Sequence, residues 1–408
     1  MTALAPEAKA QSVGLIKWLT FLMFMMFAMT TDSVGLIIPQ VIKEFQLGMT
    51  AAGSFHYASM SGIALAGLFL GFLADRLGRK RTIMLGLTLF AASSFLFAAG
   101  QHFGFFVGLL FLSGLAIGIF KTGALALIGD ISTSTKSHTA TMNTVEGFFG
   151  IGAIIGPAIV AQLLAQGSSW KWLYVIAGLL CSALLITAMF IRYPARTQAA
   201  ETVNLRATMA LMSNPYALTF SLGAMLYVGV EAAIYVWMPT LLLDYKGPAV
   251  LLAAYALAIF FILRAAGRFL GAWLLGRFNW TTVLVLASGA ILICFAAASL
   301  GGIKVGVYTL PASGLFMSVI YPTLNSKGIS CFPKAQHGAA SGVILFFTCI
   351  SAVAAPLAMG AVSDRFGGPA YGFALATGFA VILFGALLAN AVFDPSAKRL
   401  KALDESDY

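Results

Sequence analysis

The chain has 408 residues, of which 60% are hydrophobic and only 9% charged, with a mean hydropathy of +0.94; a soluble domain of that composition would aggregate, so the sequence reads as a membrane protein. The net charge of +10 does not mark a nucleic-acid binder, because Lys and Arg form no long basic tract and little soluble domain is left to carry one. The positive excess is expected instead on one face of a bilayer.

Crossing about 30 Å of hydrocarbon takes roughly 20 helical residues. Apolar runs of that length recur at 14–42, 50–75, 81–101, 104–129, 138–165, 170–192, 213–243, 249–276, 280–299, 302–331, 337–363 and 369–393. The expected fold is all-α, with twelve transmembrane helices in two pseudo-symmetric halves of six. A membrane barrel would need alternating segments of about ten residues, which these runs do not show. The first run is too long for a signal peptide and is not followed by a small-residue cleavage site, so it is expected to remain.

Polar groups inside such runs are costly and are functional candidates by default. In the first span Asp32 interrupts "AMTTDSVG" beside Thr30, Thr31 and Ser33, a setting suited to a carboxylate that exchanges a proton, or to one simply tied to the neighbouring hydroxyls. The second span ends in "GFLADRLGRKR", residues 71–81. There Gly71 and Gly78 suit close helix approach and a tight turn, Asp75 is placed to cap a helix or meet a cation, and Arg76 and Arg79, with Lys80 and Arg81, suit the headgroup level. This is either a gating clasp or a plain positive anchor.

Lys121 on the fourth span and Glu146 on the fifth lie at matching distances from the loop between them and are expected to pair, with Asn143 on the same face as Glu146. The stretch Arg192–Pro215 then divides six spans from six. It sets residues 1–192 as one half, 193–212 as a cytoplasmic linker with room for an amphipathic helix, 213–394 as the second half and 395–408 as a tail. In the seventh span Tyr227, Glu231 and Tyr235 recur every fourth residue, an aromatic face with a carboxylate in it that suits a sugar. Arg264 on the eighth span would hold a carboxylate or phosphate, or neutralise Glu231. Met317, Tyr321 and Asn325 form a similar stripe on the tenth. Arg268 and Lys327 lie nearer the ends of their spans and are expected to snorkel. "GFLADRLG" is echoed by "GRFLGAWLLGRF" at 267–278 and by "GAVSDRFG" at 360–367, as in duplicated transporters whose substrate site lies near mid-membrane.

Basic residues set the topology. Lys9, Lys17, the cluster at 76–81, Lys136, Arg192, Arg196, Arg206, Arg277, Lys334 and the tail residues Lys398, Arg399 and Lys401 fall on one side, against Lys43, Lys171, Lys246, Lys304 and Arg365 on the other. Both termini are therefore expected in the cytoplasm, in a plasma or bacterial inner membrane.

"GFLADRLGRKR" resembles the signature of the major facilitator superfamily between its second and third helices, and the twelve-span layout covers essentially the whole chain. Within that superfamily, "YVGVEAAIYVWMPTLL" (227–242), "GRFLGAWLLGRF", "SGLFMSVIYPTLNSKGIS" (313–330) and "MGAVSD" (359–364) resemble the fucose and glucose–galactose permease branch. The resemblance implies a sugar or sugar-like substrate taken up with a cation, usually a proton and alternatively sodium. It also implies an essential carboxylate in the first helix, about one turn from Asp32. At Lys121 this sequence departs from the fucose permeases, which carry a functional carboxylate there; an organic anion such as a sugar acid is therefore a second candidate substrate. "GIGAIIGP" at 150–157 resembles part of an antiporter motif but lacks its closing glycine pair, having Val160 and Ala161, so a drug or metabolite exporter is a weaker rival.

The four cysteines show no paired spacing, the four histidines are scattered, and no nucleophile or phosphate-loop motif occurs. No enzyme, metal or cofactor is expected, and the transporter is expected to work as a monomer.

Overall fold

In a bilayer core every backbone N–H and C=O must be satisfied within the chain, which makes a long apolar run a helix. The computed structural model describes residues 6–70, 73–132, 135–193, 211–333 and 336–406, and among these there is helix and turn but no strand. Nine described stretches are long and apolar enough to cross a membrane. The longest, Trp280–Ser330, covers the expected ninth and tenth spans. The linker residues 194–210, with any amphipathic helix there, and Gly71 lie outside the described residues, as do Lys334 and the side chains of Lys9, Asp75, Lys136 and Asn143. Apolar side chains that water would penalise, such as Phe190, Phe269 and Leu300, are 84%, 81% and 90% exposed, as suits a surface facing lipid.

Contacts group residues 1–40 with 54–202, and 41–53 with 203–408. The first unit contains α1 (Pro6–Thr31), most of α2 (Val34–Phe45), α4 (Ser54–Phe69), α5 (Leu73–Arg76), α6 (Arg79–Leu96), α7 (Phe103–Ile131), α8 (Thr135–Ala165) and α9 (Trp172–Phe190); the short α3 (Met49–Ala52) belongs to the second. Helix α7 packs on α4 and α6, and α1 on α8. Small residues permit this. A Cβ at Gly114 would run into the Ser59 carbonyl, and one at Gly152 or Gly156 into the carbonyls of Met25 or Met29. Between the helices, Phe27 meets Phe90 edge-on at 4.8 Å and Phe120 at 4.7 Å, in the middle of the buried core.

In the second unit follow α10 (Pro215–Ala232), a π-helical turn (Ala233–Trp237), α11 (Met238–Leu242), α12 (Val250–Ala254), α13 (Ala256–Leu275) and α14 (Trp280–Ala312). Then come α15 (Gly314–Met317), α16 (Ile320–Ser330), α17 (His337–Phe366), α18 (Pro369–Phe393) and α19 (Ala397–Ser406). Asn214 starts α10, its side chain accepting from the amides of Tyr216 and Ala217 with Pro215 in the first turn. Gly302, at φ 65° and ψ −161°, breaks α14 where the sequence predicts the boundary between two spans. Helix α10 packs against α16, α17 and α18.

Candidate functional site

The second unit concentrates the polar groups. Glu231 is the penultimate residue of α10, and the π turn begins two residues later. Its carboxylate is nearly buried, with the side chain 8% exposed, and Oε1 receives Arg264 Nη2 at 2.7 Å. The same oxygen accepts from the Tyr227 hydroxyl at 2.9 Å. Tyr227 itself is 1% exposed, so it works through its hydroxyl and the back of its ring and offers no open face. That ring stacks on Tyr321 of α16, with centroids 6.4 Å apart and planes at 25°. Arg264 reaches the pair because α13 can approach α15 closely: a Cβ at Gly267, the first residue of the "GRFLGAWLLGRF" motif, would strike the Leu315 carbonyl.

Two predicted stripes are broken by local geometry. The π turn widens the helix by one residue per turn, so Tyr235, within it, departs from the straight line that an uninterrupted α-helix would draw through Tyr227 and Glu231; it remains in electrostatic range of Tyr227. On the tenth span α15 ends at Met317 and α16 begins at Ile320, so Met317, Tyr321 and Asn325 do not share one continuous helix. Such interruptions are where transporters place binding groups.

In the first unit Asp32 stands in the break between α1 and α2, half-buried, and its Oδ2 accepts from the Thr31 hydroxyl at 2.9 Å. Lys121 directs its ammonium over the Phe149 ring of α8 at 5.4 Å. Glu146, exposed, lies on that same helix one turn before Phe149.

The basic turn has a definite structure. Gly78 sits at φ +83°, a conformation that other residues rarely adopt, and it precedes α6. Arg79 turns inward, its side chain 5% exposed, and Nε donates to Asp130 Oδ2 of α7 at 2.8 Å while Nη1 donates to the Ala74 carbonyl at 2.9 Å. Lys80 donates to the carbonyls of Met189 and Ile191 at the end of α9, both at 2.8 Å, and lies 5.6 Å above the Tyr193 ring. Burial pushes the Tyr193 hydroxyl up to about 12, so it stays a neutral phenol there. Arg76 is exposed. Sequence reasoning did not single out Asp130; its only signal was an acid at the end of an apolar run, which reads equally well as a headgroup-level charge.

The sequence profile described as Major Facilitator Superfamily matches residues 20–356. The chain belongs to this superfamily. It is a membrane transporter of the superfamily's twelve-helix fold and not an enzyme. Among superfamily members, it is 24% identical over 361 residues to a glucose/galactose transporter of Brucella abortus biovar 1 (strain 9-941), covering 85% of this chain and 87% of that one. It is 26% identical over 382 residues to an L-fucose-proton symporter of Escherichia coli (strain K12), covering 85% and 86%. The solved structure of the nucleoside transporter NupG superposes with a TM-score of 0.75 at 16% identity, over 93% of this chain and 98% of that one. Within the superfamily fold, the Gly78 turn forms the connection between the second and third spans, and Arg79 ties it to Asp130 at the end of the fourth.

Proposed function

We propose that the protein is a secondary transporter that takes up a sugar together with a proton. The observation that carries this reading is the cluster of Tyr227, Glu231, Arg264 and Tyr321. Sugars bind where ring faces meet their C–H surfaces and where a few fixed polar groups take their hydroxyls. Tyr235 and Tyr321, both partly exposed, supply the rings, with Asn325 further along α16. Glu231 and Arg264 supply acceptor and donors. Because those two charges already neutralise each other at 2.7 Å, the cluster suits an uncharged sugar better than an organic anion. Within the first unit taken by itself, Lys121, Asn143 and Glu146 are the candidate substrate-binding groups. The names of the glucose/galactose and fucose-proton relatives point the same way. The candidate carboxylates for coupling are Asp32 and Glu146, and a proton rather than sodium is the coupling ion. The chain works as a monomer with both ends in the cytoplasm.

Purified protein in liposomes with an imposed pH gradient tests this, using labelled L-fucose, D-glucose and D-galactose as probes. Accumulation of at least one of them, collapsed by a protonophore, is the expected result. No accumulation above protein-free liposomes for any of the three would refute sugar uptake, and accumulation indifferent to the protonophore would refute the proton.

A further inference from the structure

The seventh span changes its winding just before a proline. Pro239 has no N–H, and in an α-helix its ring collides with the carbonyl four residues back, that of Tyr235, so the α pattern is interrupted there. The chain takes the wider π-helical turn Ala233–Trp237 instead, and the Met238 amide donates to the carbonyls of both Ala233 and Ile234. Trp237 ends that turn at φ −113° and ψ −18°. Such turns are uncommon and persist where their surroundings over-determine them. Here α17 does so, itself interrupted by Pro356. Trp237 is 1% exposed, and its Nε1 donates to the Pro356 carbonyl at 3.0 Å. Gly360 leaves room for the indole, since a Cβ there would come within 3.1 Å of Trp237 Cζ2.

We propose that Trp237 is a positioning residue of the sugar site: from the back of the seventh span it fixes the π turn, and through the turn it fixes where the Tyr235 ring stands relative to Glu231. This rests on the sugar-uptake reading above. The span is pinned to α17 on both sides of the turn. Before it, Ser351 Oγ donates to the Met225 carbonyl at 2.6 Å, and a Cβ at Gly229 would lie 3.3 Å from that of Ala355. After it comes the indole bond. The stretch before the turn is also tied to the tenth span, because the Tyr227 hydroxyl lies 2.9 Å from Glu231 Oε1 and 2.9 Å from the Met317 carbonyl. Tyr235 and Trp237 are two residues apart, about half a turn, so they leave the span on opposite sides. Residues 231–234 and 236–239 are buried, and Tyr235 between them is half-buried, so its ring is what the turn presents to the open side.

A sugar that stacks on Tyr235 and gives a hydroxyl to Glu231 is measured by the gap between the two. A slip of one residue in the turn would rotate Tyr235 by about 100° around the span axis and remove the stacking face. The indole guards against this slip through its N–H, not only its bulk. A buried N–H without an acceptor is penalised, so the bond to Pro356 holds one rotamer of Trp237 and one winding of the turn. Packing needs the ring; positioning needs the hydrogen.

The test separates the two. In the full chain in detergent, with 3-fluorotyrosine in place of tyrosine, the fluorine line lost in Tyr235→Phe reports that ring with no substrate present. Replacing Trp237 by 3-benzothienylalanine keeps the bulk and puts sulfur where the N–H stood. The Tyr235 line is expected to move or split, while the line of Tyr174, in the first unit, stays. Pro239→Ala, which lets the α pattern return, is expected to move it too. A Tyr235 line unchanged by the sulfur analogue overturns the positioning role, and one unchanged by Pro239→Ala overturns the proline's part; Trp237→Phe gives the same comparison if the analogue does not fold. Isothermal titration with L-fucose, D-glucose and D-galactose reads the consequence. The analogue is expected to bind whichever of these the parent binds about tenfold more weakly, at an unchanged thermal midpoint. Unchanged affinity beside a moved Tyr235 line overturns the link to the site. If the parent binds none of the three, the sugar reading fails with the link to it, and the fluorine line still decides whether Trp237 places Tyr235.

Discussion

Arg79 shows how much a single buried charge depends on its partner. Its guanidinium has left water for Asp130 and the Ala74 carbonyl. Removing one member of such a pair strands the other, at a cost of about 3–5 kcal/mol, whereas replacing both by apolar groups is often neutral. Asp130→Asn is therefore expected to lower the thermal midpoint in detergent markedly, and Arg79→Met with Asp130→Leu to recover most of the loss. Equal destabilisation by the single and double changes would show that the pair is not what holds the turn. At Glu231 the expectation is a split between two variants. Glu231→Ala, which removes acceptor and charge, weakens binding of the sugar identified in liposomes about tenfold, roughly 1.4 kcal/mol. Glu231→Gln keeps the shape and weakens it less, measured by isothermal titration. Glu231 and Arg264 are both legible in the sequence as charges in costly places, and their pairing is one of the readings it offers. The partner of Arg79 is not, because Asp130 lies 51 positions away and nothing local links them.

At the scale of helices, the echo "GAVSDRFG" acquires a physical role. Asp364, in the last turn of α17, accepts from the Met49 amide at 2.6 Å and the Thr50 amide at 2.8 Å, so one carboxylate closes the exposed start of α3. Those amides carry the positive end of the helix dipole, and a charged acceptor there stabilises it by about 1 kcal/mol. Gly48 leaves the room, since a Cβ there would come within 2.9 Å of the Asp364 oxygen. Asp364→Asn is expected to speed hydrogen exchange at Met49 and Thr50 while leaving the amides of α13 unchanged; uniform acceleration would instead indicate general destabilisation. The α1–α8 contact makes a second test. Gly156→Val puts branched bulk where the Met29 backbone lies and is expected to cost about 1–3 kcal/mol in overpacking, read as a drop in thermal midpoint. In sequence these glycines are merely frequent. Which of them touch a backbone is set by the way the helices cross.

For the whole molecule the expectation concerns orientation. Lys17, Arg76, Arg79, Lys80, Arg81 and Arg192 would lie on the same side as the tail residues Lys398, Arg399 and Lys401, and such an excess faces the cytoplasm. Fluorescent protein fused to either end, which matures in the cytoplasm, should therefore fluoresce, while periplasmic phosphatase fusions at the same ends should be inactive. The opposite pattern at either terminus would refute this topology.

What the sequence determined by itself was the succession of helices and the kind of machine they build, because lipid offers no hydrogen bonds and an apolar run of about 20 residues has little choice but to coil. It also located most of the charges that matter, since each stands out against an apolar background. The tertiary structure decided how they combine. Spacing predicts one straight aromatic face through Tyr227, Glu231 and Tyr235, but the π turn and the break after Met317 redraw it. The two acceptors around the single Tyr227 proton come from two different spans, one of them a main-chain carbonyl that no side-chain pattern encodes.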